Sequence, residues 1–217
     1  MNGLIKWSFS PYNLKTWEKS NHRILFVGAD PNGAKAHNIK DMGEWFRKVP
    51  EGSKNLFYKR TKIMLDSILS HVDNDERMKH MRFVDFKIYE GGAQADSKLV
   101  FKYAKKYKDE VQKFFISKST PHYVIILGNH ARYTFNKLKA SFPKHIQFDD
   151  STLAVLMPHP SSMINTDALK MACKDISIIN DKNKFRPINS KVYRWSYDKN
   201  YWNDFGKNSP RSWMLDK

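Results

Sequence analysis

The chain alternates short apolar runs with longer segments in which apolar residues recur at helical spacing. A strand that is buried on both faces is a near-continuous apolar run, so four segments predict strands, at residues 24–27, 82–88, 122–127 and 152–157. Segments with a period near 3.6 predict helices at residues 53–70, 97–116, 129–140 and 167–180. This alternation predicts an α/β fold with three α/β/α layers around a central parallel sheet of four strands.

The remaining segments are predicted to be irregular. Residues 1–22 indicate a polar lead-in, residues 30–52 a long glycine-containing loop, and residues 73–80 a charged connection. Ser53 is placed to cap the helix that runs to about Ser70, and Gly91-Gly92 breaks the second strand. Residues 181–217 are rich in aromatic and basic side chains and predict an extension of a core at 24–180, within a single domain of residues 1–217.

The first and fourth predicted strands each end near an ionisable residue beside a proline. Asp30 precedes Pro31, and His159 lies between Pro158 and Pro160. Parallel strands end at one edge of the sheet, where such folds bind ligands, so we expect this carboxylate and this imidazole to lie close together. Taken singly, each residue is better explained by a turn; taken together, they predict a catalytic site.

The charge of the chain indicates what such a site acts on. The 217 residues carry a formal net charge of +16, and 14% of them are aromatic. A basic surface attracts phosphates and aromatic rings stack on bases, so the composition favours nucleic acid over an anionic membrane as the partner. A soluble basic protein with no such partner is the plainer alternative.

Cysteine content and hydropathy narrow the class further. The one cysteine, Cys173, excludes a disulfide within the chain and a metal site built from cysteines alone. No apolar run is long enough to span a membrane, and the first residues lack a signal-peptide core. We therefore expect a cytoplasmic, monomeric protein without a cofactor or metal.

Four segments at the predicted strand ends together resemble the uracil-DNA glycosylase superfamily. Gly28-Ala29-Asp30-Pro31 is similar to the water-activating motif of that family, and His159-Pro160-Ser161-Ser162-Met163 is similar to its minor-groove intercalation motif. Residues 125–131 and 170–180 are similar to its third strand and its final helix. The resemblance covers residues 24–180 and rests on the order, spacing and placement of these motifs.

The resemblance implies a monofunctional DNA glycosylase, which flips a nucleotide and hydrolyses its N-glycosidic bond to leave an abasic site. It implies that Asp30 activates water and stabilises the sugar cation, and that His159 stabilises the charge developing on the base O2. A further set of residues is implied to contact the base or the DNA: Ala29 and Asn32 at the base, Ser161 and Ser162 on flanking phosphates, Met163 as a wedge, and Ser53 on another phosphate. Met163 is also explained as ordinary packing, and Ser53 as a helix cap.

Two features depart from the uracil-specific pattern. Asn32 and Gly33 follow the Asp-Pro pair where the best-known uracil enzymes carry a Tyr that closes the pocket at the pyrimidine 5-position. Asp85 is the natural match for the Asn that reads uracil, and an ionised carboxylate accepts from the 4-amino group of cytosine but cannot donate to O4. Pairing of Asp85 with a nearby base, Lys87 or Arg82, explains that residue equally well. For stacking on the flipped base, the candidates are Trp45 and Phe46, one of which is also explained as core.

These departures predict a modified cytosine as the substrate. An open 5-side suits a 5-substituted base such as glucosylated hydroxymethylcytosine, which the anti-phage branch of the superfamily removes. A uracil or mismatch-thymine glycosylase and a catalytically silent DNA-binding module stay as alternatives. An unrelated nucleotide-binding protein is disfavoured, because residues 28–33 lack both a phosphate-loop lysine and the glycine spacing of a dinucleotide site.

Overall fold

The computed structural model describes residues 8–29, 42–50, 53–87, 96–115, 120–142, 152–157, 159–160, 166, 169–170 and 192–194, which form a sheet with helices on both faces. The strands are β1 (Ser8–Phe9), β2 (Ile24–Gly28), β3 (Met81–Asp85), β4 (Tyr123–Leu127), β5 (Leu153–Met157) and β6 (Val192–Arg194). The helices are α1 (Leu14–Glu18), α2 (Met42–Lys48), α3 (Leu56–Ile68), α4 (Asn74–Arg77), α5 (Ser97–Lys106), α6 (Lys108–Phe115) and α7 (Gly128–Ser141), and a 3-10 helix spans Met78–His80.

The strand order places the ends of distant segments side by side. The sheet runs β1-β3-β2-β4-β5-β6, with β1 antiparallel to β3 and every other neighbouring pair parallel. All residues of β2 and of β4 are buried, as their continuous apolar sequences predict. The prediction of an α/β fold is confirmed, and the parallel strands bring their carboxyl ends to one edge.

Alternate residues of the strands supply two separate cores. On one face, Ile24, Phe26 and Ile125 pack with α2 and α3. On the other face, Leu25 and Val27 pack with α1, α5, α6 and α7. Because successive strand residues point to opposite faces, each of the strands β2 to β5 contributes to both cores.

The structure corrects several predicted boundaries. The second strand is β3 rather than residues 82–88, and the helix predicted at 97–116 is two helices, because the backbone leaves the helical region at Tyr107. The sequence predicted a single helix because α5 and α6 bury apolar residues in the same core, among them Val100 and Val111. Their apolar positions therefore look like one continuous amphipathic stripe. Of the predicted helix at 167–180, only residues 169 and 170 lie within the described part of the chain, and both are helical.

Segments that were predicted to be irregular also contain regular structure. The lead-in holds β1 and α1, the loop at 30–52 holds α2, and the charged connection holds α4 and the 3-10 helix. Trp17 holds α1 against the sheet, because it is almost fully buried and its indole Nε1 donates to the Ile24 carbonyl at 3.1 Å. Within 181–217, β6 pairs with β5 and so extends the sheet.

Candidate active site

The carboxyl edge of the sheet gathers several of the residues that the sequence singled out. Ala29 and Asp85 lie at the ends of β2 and β3, and His159 lies two residues after β5. The Phe86 and Lys87 amides donate to the carbonyls of Gly28 and Ala29, at 3.0 and 2.9 Å, so the β2–β3 pairing continues to this edge. Five of the predicted site residues lie outside the described part of the chain: Asp30, Asn32, Ser161, Ser162 and Met163.

Asp85 occupies the space next to Gly28. The two residues are paired across β2 and β3, and Asp85 is 7% exposed. A Cβ on residue 28 would collide with the Asp85 Oδ1 atom and would lie 3.2 Å from the Phe83 ring. Glycine at this position therefore makes room for a buried carboxylate at the end of the strand.

The neighbours of Asp85 bear on the alternative that it is a structural acid. Arg82 stands on the opposite face of β3, where its guanidinium lies 5.4 Å from the Trp17 ring centroid. Asp85 projects from the other face of β3, toward Gly28. The Lys87 ammonium lies 5.5 Å from the ring centroid of Tyr103 on α5.

His159 packs against a second glycine, at the end of the next strand. Gly128 directly follows β4 and has a φ of +81°, in the left-handed region that favours glycine. A Cβ at this residue would lie 2.8 Å from the His159 Cβ. Because β2 and β4 are neighbours, Asp85 and His159 are held next to glycines at the ends of adjacent strands.

The environment of His159 sets its protonation. Burial, and to a smaller extent the nearby His130, lowers the pKa of the His159 imidazole to about 4. The ring is therefore neutral at pH 7. A neutral imidazole has one N–H to donate and one nitrogen to accept, so it can donate a hydrogen bond to an oxygen that gains negative charge.

Phe57 on α3 contacts the His159 ring, and the sequence did not single it out as a site residue. Its ring centroid lies 5.3 Å from that of Phe83 and 6.1 Å from that of His159, the latter with an interplanar angle of 34°. Phe57 was expected only as part of the apolar stripe of the helix. The signal that could have found it is position, because helices of parallel α/β folds begin at the carboxyl edge and Phe57 lies in the first turn.

A second side chain of α3 holds the backbone beside His159. Arg60 is buried, and its Nη1 donates to the Pro160 carbonyl at 3.0 Å. Phe57 and Arg60 are three residues apart and so lie on the same face of the helix. One contacts the His159 ring and the other the backbone that follows it, so α3 restrains His159 from two sides.

His130 is a further neighbour of this site that sequence reasoning missed. It lies in the first turn of α7, two residues after Gly128, and is exposed. Its Nδ1 lies 2.7 Å from the Ser97 Oγ at the start of α5. Gly128 at the start of α7 lies against His159, and His130 contacts Ser97, so the starts of α7 and α5 adjoin the site.

The remaining predicted residues have other positions. Phe46 is fully buried in the core and packs against Tyr58 with ring centroids 4.9 Å apart, the position that its alternative explanation as a core residue predicts. Trp45 is partly buried against the same core. Ser53 does not cap α3: the Asn55 side chain accepts from the Tyr58 amide at 3.1 Å, while Ser53 Oγ accepts from the Asn55 amide.

The described residues show neither a metal-binding cluster nor a membrane-spanning helix. In that part of the chain, no group of three His, Cys, Asp or Glu side chains is arranged to hold a metal ion. None of the described helices is both long and apolar enough to cross a membrane.

Comparison with known proteins adds no family to this description. A scan against protein-family models found no match, and a search of curated proteins found no relative.

Proposed function

We propose that this protein is a DNA glycosylase that excises a 5-substituted cytosine. The observation that supports the proposal most is the arrangement at the carboxyl edge. A buried carboxylate and a neutral imidazole lie against glycines at two adjacent strand ends, and an aromatic ring contacts the imidazole. The basic composition of the chain supports DNA as the substrate.

Each of these groups has a role in the proposed reaction. The target nucleotide is flipped into the site, where Phe57 offers a ring face for the base. As the bond between the sugar C1′ and the base nitrogen breaks, its electron pair passes to the base, and His159 donates a hydrogen bond to the O2 atom that gains charge. Asp30, which follows Ala29 at the end of β2, stabilises the sugar cation and takes the proton of the water that adds at C1′.

Asp85 supports cytosine over uracil. Its carboxylate is buried at the same edge, and in its ionised form it only accepts hydrogen bonds. The 4-amino group of cytosine donates to such an acceptor, whereas O4 of uracil would face it with like polarity. Asn32-Gly33 in place of an aromatic residue supports room for a 5-substituent, and a glucosylated base would fit a role in defence against phage.

Oligonucleotides that each carry one test base would test the proposal. The panel would contain uracil, thymine opposite guanine, cytosine, hydroxymethylcytosine and glucosylated hydroxymethylcytosine, followed by alkaline cleavage of abasic sites. We expect cleavage only at the modified cytosines. Cleavage at uracil alone would instead assign the protein to uracil repair, and DNA binding without any cleavage would identify a silent binding module.

Three variants connect the expected activity to named residues. Asp30→Asn should abolish cleavage and leave DNA binding intact. Asp85→Asn should weaken cleavage at modified cytosine and raise cleavage at uracil. Asp109→Asn removes an exposed carboxylate on α6 and is the matched control, which should cleave like the unchanged protein. Unaltered base preference in Asp85→Asn would contradict the role of that residue.

A further inference from the structure

The two helices that begin beside the candidate site carry a one-sided charge. The ten residues of α5 include four lysines, and the fourteen of α7 include two lysines and an arginine. Neither helix contains an acidic residue. The acid that precedes α5, Asp96, is its N-cap and accepts from the Leu99 amide at 2.8 Å.

The cations lie on the side of these helices that faces away from the sheet. On α5, Val100 and Ala104 are buried in the core, and the exposed lysines follow at spacings of four and three residues: Lys98, Lys102 and Lys105. On α7, Tyr133 and Lys137 are exposed and four residues apart. Residues at these spacings share one face of a helix, so α5 presents a stripe of three lysines and α7 presents Lys137 beside Tyr133.

An aromatic pair joins the two stripes into one surface. The ring centroids of Phe101 on α5 and Tyr133 on α7 are 6.5 Å apart, in an edge-to-face arrangement. The Lys137 Nζ lies 5.8 Å from the Tyr133 ring centroid. We name this surface the α5–α7 basic face and define it by Lys98, Lys102, Lys105, Tyr133 and Lys137.

The basic face leads away from the candidate site. Both helices begin at the carboxyl edge. There Ser97 contacts His130, and Gly128 at the start of α7 lies against His159. From Lys98 to Lys105 the helix rises about 10 Å, at about 1.5 Å per residue. One strand of B-DNA places about three phosphates along that length.

We propose that the α5–α7 basic face binds the phosphate backbone of the DNA that flanks the target nucleotide. This inference rests on the proposed function and adds to it a surface outside the base pocket. Because neither α5 nor α7 contains a carboxylate, the lysines of these helices repel one another, and a polyanion relieves that repulsion. Flexible ammonium groups suit contacts that depend on charge rather than base sequence, and the Tyr133 hydroxyl adds a donor at the centre of the face.

Two double variants of the full-length chain test the proposal. Lys102→Gln with Lys137→Gln removes two charges from the basic face. Lys15→Gln with Lys19→Gln removes two exposed charges at α1 and is the matched control, because the net charge of the two variants is equal. Affinity for a short fluorescein-labelled DNA duplex would be measured by anisotropy between about 50 and 200 mM salt.

The slope of log affinity against log salt reports the number of phosphate contacts. Each contact contributes about 0.9 to the slope for duplex DNA, so the basic-face variant should lose about 2 from its slope and the control nothing. Between about 50 and 200 mM salt, the affinity of the unchanged protein should therefore fall by a factor about ten times larger than that of the variant. Equal slopes in both double variants would overturn the proposal.

The same samples separate this proposal from the proposed function. If the unchanged protein binds the duplex but cleaves no oligonucleotide of the panel, the glycosylase proposal fails and the slopes still test the basic face. If it binds no DNA, both proposals fail. A third outcome is that the protein binds fluorescein-labelled polyglutamate but not DNA, and that the basic-face variant loses this binding. That outcome would also overturn the proposal, and it would indicate an acidic protein as the partner.

Discussion

Replacement of Gly128 by alanine tests whether the site depends on the packing of His159. The φ of +81° at this residue is a conformation that costs a side-chain-bearing residue about 1–2 kcal/mol. The new Cβ would also lie 2.8 Å from the His159 Cβ, so one of the two must move by about 0.6 Å to reach ordinary van der Waals contact. A displacement of that size at a catalytic group lowers the rate by about 10- to 100-fold.

Two measurements on Gly128→Ala separate stability from activity. Urea unfolding should show a loss of about 1–2 kcal/mol in the free energy of unfolding. Single-turnover excision from the best oligonucleotide of the panel, with protein in excess, should slow by about 10- to 100-fold. Single-turnover conditions exclude product release, so the rate reports the chemical step and the geometry around it.

Ile68→Val provides a control of similar stability. Ile68 is fully buried near the end of α3, about 16 Å along the helix from Phe57, and the change should cost about 0.5–1.5 kcal/mol. Its excision rate should equal that of the unchanged protein. If Gly128→Ala lost only stability and excised at the unchanged rate, the argument that Gly128 positions His159 for catalysis would be refuted.

Three further predictions concern protonation, positioning and capping. The pKa of His159 is about 4 when folded and about 6.5 when unfolded, so acidification below about 6.5 protonates the unfolded state first and lowers stability. Between pH 7 and 5, the free energy of unfolding in urea should fall by about 2 kcal/mol less in His159→Gln than in the unchanged protein. An equal fall in both proteins would contradict a neutral His159 ring. Arg60→Met removes the hydrogen bond to the Pro160 carbonyl, and single-turnover excision should fall about tenfold at unchanged DNA affinity, with partial recovery in Arg60→Lys; a rate that follows stability alone would reduce Arg60 to a structural role. Asn55→Ala should cost about 1 kcal/mol in thermal or urea unfolding and Ser53→Ala less than about 0.5 kcal/mol, and the reverse order would contradict the capping assignment.

The cap of α3 illustrates why sequence and structure differ at helix starts. Ser53 and Asn55 are both good capping residues, and the apolar stripe alone does not distinguish them. Hydrogen bonds decide: the Asn55 side chain accepts from the Tyr58 amide, whereas Ser53 Oγ accepts from the Asn55 amide. A helix that began two residues earlier would place the same side chains in the core, so the apolar period does not locate the first turn.

The small edge elements were missed for a related reason. β1 consists of two residues and pairs with Phe83 and Val84 of β3, and β6 consists of three residues and pairs with β5. Segments this short carry no measurable period. Their place in the sheet depends on hydrogen bonds with strands far away in the sequence, which no local window contains.

The sequence by itself determined the α/β class and the common edge where the site residues meet. Strands between two helical layers must be apolar on both faces, so continuous apolar runs in the sequence predict β2 and β4. Parallel strands necessarily end at one edge of the sheet. Only the tertiary structure decided that Asp85 lies against Gly28, that His159 lies against Gly128 and that Phe57 contacts the His159 ring. Those contacts join segments far apart in the chain, and they depend on strand order and on the space left by two glycines, neither of which the periodicity of a single segment encodes.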